Sequence, residues 1–173
     1  MTWIVMIIVL LIGAVLQSIM PGYVVLGQAK HPILVGIVLY YALSRDMNVA
    51  MVAAFGAGFL QDALTPMVPL GYSIFFFCLV VLVVGRFRNL VLVESVATSA
   101  FFGAVAGMLV NIGFGFLLAT DLDTKCSLDR VLLRTLGTAL LGAVTTPIVF
   151  FMIVRLDQLV GNIEIKESID NVE

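Results

Sequence analysis

Six apolar blocks, parted by short polar breaks, run along this 173-residue chain: Trp3–Met20, Ile33–Leu43, Val49–Leu64, Leu70–Gly85, Leu90–Ala119 and Val131–Val154. Hydrophobic residues make up 62% of the sequence and charged residues 12%. A soluble domain carries roughly 45–50% apolar and about 25% charged residues. Nine basic and eleven acidic side chains cannot clothe a water-facing globule of this size, so the expected solvent is lipid. There the backbone finds no water, and only helices or closed barrels satisfy its polar groups internally. Barrel strands alternate polar and apolar positions, which these blocks do not. A spanning helix takes about 20 apolar residues. The expectation is an all-α membrane protein, a six-transmembrane-helix bundle formed by residues 1–155, with an acidic tail at 156–173. Its helices are expected at about 3–20, 32–43, 48–64, 70–85, 90–119 and 130–154.

The same composition excludes much chemistry. One histidine, His31, and two cysteines, Cys78 and Cys126, fall short of the usual zinc-ligand set. Cys78 lies in an apolar run and Cys126 in a polar stretch, at depths too different for a disulfide. Phosphate-loop, nucleophile-elbow and HExxH motifs are absent. No two carboxylates are spaced for acid–base work and no nucleophile has an evident base, so neither enzyme activity nor a cofactor is expected. A net charge of −2 offers no polybasic surface to nucleic acid. The amino terminus lacks the positive region and cleavage site of a secretory signal, so block one is expected to be a retained helix.

Two blocks depart from spanning length. Ile33–Leu43 has 11 residues, about 16 Å of helix against a hydrocarbon core of roughly 30 Å. Pro32 suits a first helical turn. Either Tyr23–Leu26 dips into the membrane to complete the crossing, or the helix is short and buried in a thinned bilayer. Leu90–Ala119 is long enough that it must tilt, bend or project. With the amino terminus inside, Arg45, Arg86, Arg88, Arg155 and Lys166 are cytoplasmic, and Lys30, Lys125, Arg130 and Arg134 lie outside. Arg86 and Arg88, in a short link, are with Arg45 the cytoplasmic topology markers. Both termini then face the cytoplasm. Leu156, Leu159, Val160 and Ile163 keep a helical spacing, so the tail either extends the last helix or frays.

Small residues and occasional hydrogen bonds hold helices together in lipid. Block five carries a row at every fourth position: Ser95, Ser99, Gly103, Gly107, Asn111 and Gly115. Block three echoes it with Ala50, Ala54, Gly58 and Asp62, and block six with Thr138, Gly142 and Thr146 before Pro147. Such rows pack inside the bundle or against a partner helix. Ala54, Gly58, Asp62, Ser99, Gly103, Gly107 and Asn111 are therefore the candidate helix-packing or partner-contact residues. Asp62 ends its helix where the dipole disfavours an anion, so it needs a base, backbone amides of the 65–71 turn, or water. Glu94 is near Arg86 and Arg88 in sequence, spaced for a snorkelling ion pair. Arg130 and Arg134 share one face and are expected to snorkel outward. Gln17 and Asn111 are expected to bond neighbouring helices.

Pro32-Ile-Leu, Tyr40-Tyr41-Ala-Leu, Arg45, Phe55-Gly56-Ala-Gly58-Phe59-Leu60-Gln61-Asp62-Ala-Leu64, Leu70-Gly71 and Gly85-Arg-Phe-Arg88 follow one another in order. This stretch, residues 32–88, resembles the rod shape-determining protein MreD family. Gly56 and Gly58 are closer together than in the family pattern, and the tail is longer and more acidic. The resemblance implies a non-catalytic scaffold or regulator in the bacterial inner membrane. Its partners would be an MreC-like single-span coiled-coil protein and, indirectly, MreB-like filaments and a RodA-type polymerase with its transpeptidase. The implied fold is similar to the six-helix substrate-binding subunits of energy-coupling-factor vitamin transporters, and such a subunit is the alternative function.

Overall fold

The computed structural model describes residues 2–23, 28–65, 71–87, 96–121 and 128–159. Those residues form six α-helices and no strand: α1 (Thr2–Ile19), α2 (Ile33–Ser44), α3 (Met47–Ala63), α4 (Tyr72–Phe87), α5 (Val96–Asp121) and α6 (Leu128–Leu159). The shortest helix is the hub. Every residue of α2 from Ile33 to Leu43 is buried, and α2 packs against each of the other five helices. A helix apolar on all sides has no face to offer water, and the interior is where it belongs. Short length and all-round apolarity thus have one explanation. Of Tyr23–Leu26, only Tyr23 is described; its N–H donates to the carbonyl of Ala29 at 3.0 Å, and Gln28 turns the chain with φ 63°.

The other helices show the core one stripe each. On α1 the buried residues Met6, Val9, Leu10 and Ala14 recur at helical spacing, while Ile4, Ile8, Leu11, Ile12 and Val15 face outward. On α3 the inner face is Ala50, Ala53, Ala54, Ala57 and Gly58, all buried, with Phe55 and Phe59 exposed. These small residues let α4 approach: a side chain at Gly58 would overlap the backbone of Ile74, its Cβ 2.6 Å from the Ile74 nitrogen.

Large apolar side chains cover the outside as well as the core. Leu136, Leu140, Val144 and Phe151 on α6 and Phe101 on α5 are all exposed. Soluble monomers rarely show extended apolar surface of this kind. Among the described residues two helices, α5 over Val96–Gly113 and α6 over Val131–Gln158, are long and apolar enough to cross a membrane. The described part of α5 starts at Val96, because residues 88–95 lie outside the described residues. At its far end α6 continues through Pro147 and on to Leu159, beyond the expected limit at Val154. The first residues assigned to an acidic tail are therefore helix, and one of them, Asp157, is buried.

Candidate functional site

Polar side chains gather at the two ends of the bundle. At the end where α2 finishes, Arg45 and Asp157 form an ion pair, Nη2 to Oδ2 at 3.1 Å, with both residues under 9% exposed. Tyr40 donates its hydroxyl to the same Oδ2 at 2.7 Å. The Tyr41 hydroxyl lies beside them, buried without a hydrogen-bond partner in the structure. A buried charge is tolerable only when paired and hydrogen-bonded. The pair ties the α2 C-terminus to the last turns of α6. Arg45 is therefore a bundle-closing residue as well as a basic residue between helices. Arg86 is exposed in the last turn of α4, and Arg88 and Glu94 lie outside the described residues.

Asp62 also has protein partners. Its Oδ2 accepts from the Gly71 N–H at 2.7 Å and its Oδ1 from the Ser73 N–H at 3.1 Å. The Gly71 N–H lies at the cap position just ahead of α4 and the Ser73 N–H in its first turn, where donors have no partner within the helix. A carboxylate there gains from the dipole of α4, outweighing its poor position at the end of α3. Among the three compensations open to Asp62, backbone amides are the one adopted. Gly71, at φ +104°, holds the turn in a conformation that favours glycine. Replacing Asp62 by Ala leaves two amide donors without their acceptor and is expected to destabilise the protein by about 1–3 kcal/mol. Thermal unfolding in detergent measures this; an unchanged midpoint would remove the capping role.

The rows of small residues meet one another. Gly103 and Gly142 touch backbone to backbone, each carbonyl oxygen 2.6 Å from where the other's Cβ would stand. The buried Thr146 hydroxyl, which has no conventional partner, lies against Gly103, an arrangement suited to Cα–H···O contact. Gly107 faces the Thr138 carbonyl, and Gly115 faces Val131. Asn111 donates to the Thr138 hydroxyl at 3.1 Å, which itself donates to the Arg134 carbonyl. Ser99 is buried and returns its hydroxyl to the Val96 carbonyl, while Ala54 is fully buried in the core. Ser95 lies outside the described residues. The described row on α5 is thus lined up largely against the row on α6.

At the opposite end, where α2 begins, a cleft of about 160 Å³ is lined by residues of all six helices and by Lys30, His31 and Pro32 ahead of α2. Its polar lining comes from the C-terminal parts of α1, α3 and α5 and from the N-terminal part of α6, so the helices alternate in direction. Gln17 donates to Gln61 Oε1 at 2.6 Å and accepts the Leu34 N–H at 3.0 Å, capping α2 from a neighbouring helix. His31 lies between two hydroxyls, with Nδ1 3.1 Å from Thr145 Oγ1 and Nε2 3.4 Å from the Tyr23 oxygen, and Thr145 donates its own hydrogen to the Leu141 carbonyl. Lys30 and Arg134 stand at the rim with Asn111 and Thr138 beside them. Among the described residues no group of three His, Cys, Asp or Glu side chains could hold a metal ion.

No family model, curated protein or solved structure matches this chain.

Two of these features escaped sequence reasoning, for different reasons. Asp157 counted as one acid of a tail, although it shares a helical face with Thr146, Phe150 and Ile153, all buried. That periodicity was its signal. The cleft had none, because its lining is drawn one or two residues at a time from elements far apart in the sequence.

Proposed function

We propose that this chain is an MreD-like integral scaffold or regulator of the bacterial elongation complex. It crosses the inner membrane six times with both termini cytoplasmic, and supports lateral peptidoglycan synthesis and cell shape without catalysis of its own. Its partners are an MreC-like single-span protein and, through it, MreB-like filaments and a RodA-type polymerase with its transpeptidase. The observation that carries this is the ordered stretch 32–88, from the proline-opened short helix to the Gly85-Arg-Phe-Arg88 link. Its polar members Arg45 and Asp62 are committed to bonds between elements, as a rigid scaffold requires. Helix direction agrees with the orientation: Arg45 and Arg86 then belong to the cytoplasmic end and Lys30 and Arg134 to the outer end.

The cleft supports the second reading, a vitamin-binding transporter subunit, because it gathers polar side chains between helices. The cleft holds about 160 Å³ and a recess that shares Lys30 and Arg134 holds about 280 Å³, so volume does not separate the two readings, pockets for such ligands running to about 300–1,000 Å³. Co-purification from native membranes in mild detergent, with partners identified by mass spectrometry, separates the two. Recovery of MreC-like, MreB-like or wall-synthase subunits is expected. Recovery of paired ATPases with a membrane coupling subunit overturns the scaffold assignment in favour of transport.

A further inference from the structure

We infer that the cleft at the α2 N-terminal end binds a compact, uncharged carboxamide through the side-chain amides of Gln61 and Asn111. Both residues line the cleft, and each spends only one end of its amide inside the protein. The Leu34 N–H can only donate, so the Gln17 atom it meets is Oε1, and Gln17 Nε2 turns to Gln61. Gln61 meets that donor with its Oε1, which leaves its Nε2 hydrogens without an acceptor among the described residues. Asn111 has the opposite remainder: its Nδ2 donates to the Thr138 hydroxyl, and its Oδ1 accepts nothing among the described residues. Neither atom is sealed in the interior, since among the described residues only the Tyr41 and Thr146 hydroxyls are buried without a partner.

The cleft thus offers a donor from α3 and an acceptor from α5, with the apolar side chains of Val35, Phe77 and Val110 in the same wall. A carboxamide answers both with separate atoms, its oxygen accepting from Gln61 and its N–H donating to Asn111. A carboxylate carries no hydrogen for Asn111 and brings a charge that two amides do not neutralise. The cations of the lining play no part: Arg134 is already engaged within the protein, and Lys30 stands exposed at the rim. Low-dielectric walls strengthen a hydrogen bond relative to water, so neutral groups are enough to orient the ligand. A cleft of about 160 Å³ is smaller than the pockets of about 300–1,000 Å³ that take drug-sized ligands, and suits a single ring bearing the amide.

The site does not depend on the scaffold assignment, which co-purification decides separately. The probe is nicotinamide, titrated calorimetrically into the full chain in detergent. Two compounds of the same ring serve as comparisons: nicotinate, the carboxylate, and the methyl ketone, which keeps the carbonyl and lacks the N–H. Nicotinamide is expected to bind in the millimolar range, and each comparison compound about tenfold more weakly, the loss of one hydrogen bond. Gln61→Glu keeps an acceptor for Gln17 and removes the unused donor, and should weaken nicotinamide binding about tenfold or more. In Asn111→Ala nicotinamide should lose its advantage over the methyl ketone, a ratio that general loosening of the fold does not change. Absence of nicotinamide binding overturns the site. So do equal binding of the three compounds, undiminished binding in Gln61→Glu, and an advantage over the ketone that survives in Asn111→Ala.

Discussion

Asp157→Ala destabilises the folded bundle by about 3–5 kcal/mol, the scale for breaking a buried ion pair by removing one partner. The variant takes from Arg45, at 8% exposure, its Asp157 partner and takes away the acceptor of the Tyr40 hydroxyl. Arg45→Ala breaks the same pair from the other side, leaving the Asp157 carboxylate, and has a similar effect. Their combination is the sharper test. Arg45→Met with Asp157→Leu removes both charges and fills the space, and recovers much of the loss, because apolar replacements of a buried pair are often neutral or better. Thermal unfolding, in one detergent, of the parent, Arg45→Met, Asp157→Leu and this double variant gives the cycle. Simple additivity of the two single losses in the double variant would mean that the residues do not act as a pair. Tyr40→Phe, which removes one hydrogen bond and keeps the charges, is expected to cost about 1.5–3 kcal/mol, the range for bonds to a charged acceptor.

Gly103→Leu has an effect of similar size for a steric reason. A Cβ at Gly103 meets the Thr146 hydroxyl and comes within 2.6 Å of the Gly142 carbonyl oxygen, so α5 and α6 must separate where their backbones touch. Overpacking a core commonly costs about 1–3 kcal/mol and sometimes more. Here backbone is the obstacle, and the loss is expected at the upper end of that range or above it. Gly115→Ala is the control on the same helix. Its Cβ finds Val131 Cγ1 at 3.4 Å, ordinary contact, and alanine is the better helix former by about 1 kcal/mol. Unfolding midpoints and the yield of monodisperse protein should rank Gly115→Ala near the parent and Gly103→Leu far below it. Equal behaviour of the two variants would show that the crossing at Gly103 is looser than the structure has it.

These two regions differ in how far the sequence exposed them. The four-residue rows of block five and block six were visible because small residues at i, i+4 stand out in apolar helices, and their meeting follows from close-approach packing. Which neighbour each row faced was not visible. Such a row drifts about 40° per step on a 3.6-residue helix, and its target depends on where the other helices stand. Asp62 was legible as a residue in need of compensation; that Gly71 and Ser73 supply it depended on the return of α4 against α3. Arg45 was legible only as a charge between helices, and Asp157 only as an acid near the end, because they are 112 positions apart.

What the sequence by itself determined is the helical class and the element order: apolar blocks of these lengths satisfy their backbone only as helices, and the polar breaks mark where each one ends. It also determined that the second helix, short and apolar on every side, could not be an ordinary surface helix. The tertiary structure decided everything that depends on two elements meeting. It set α2 at the centre of the other five, joined Arg45 to Asp157, and turned Asp62 from the end of one helix into the cap of the next. It also built the cleft from Gln17, Lys30, Gln61, Asn111 and Arg134. Hydropathy and spacing act along one chain segment at a time, whereas pairing and enclosure are set by the packing of segments distant in sequence.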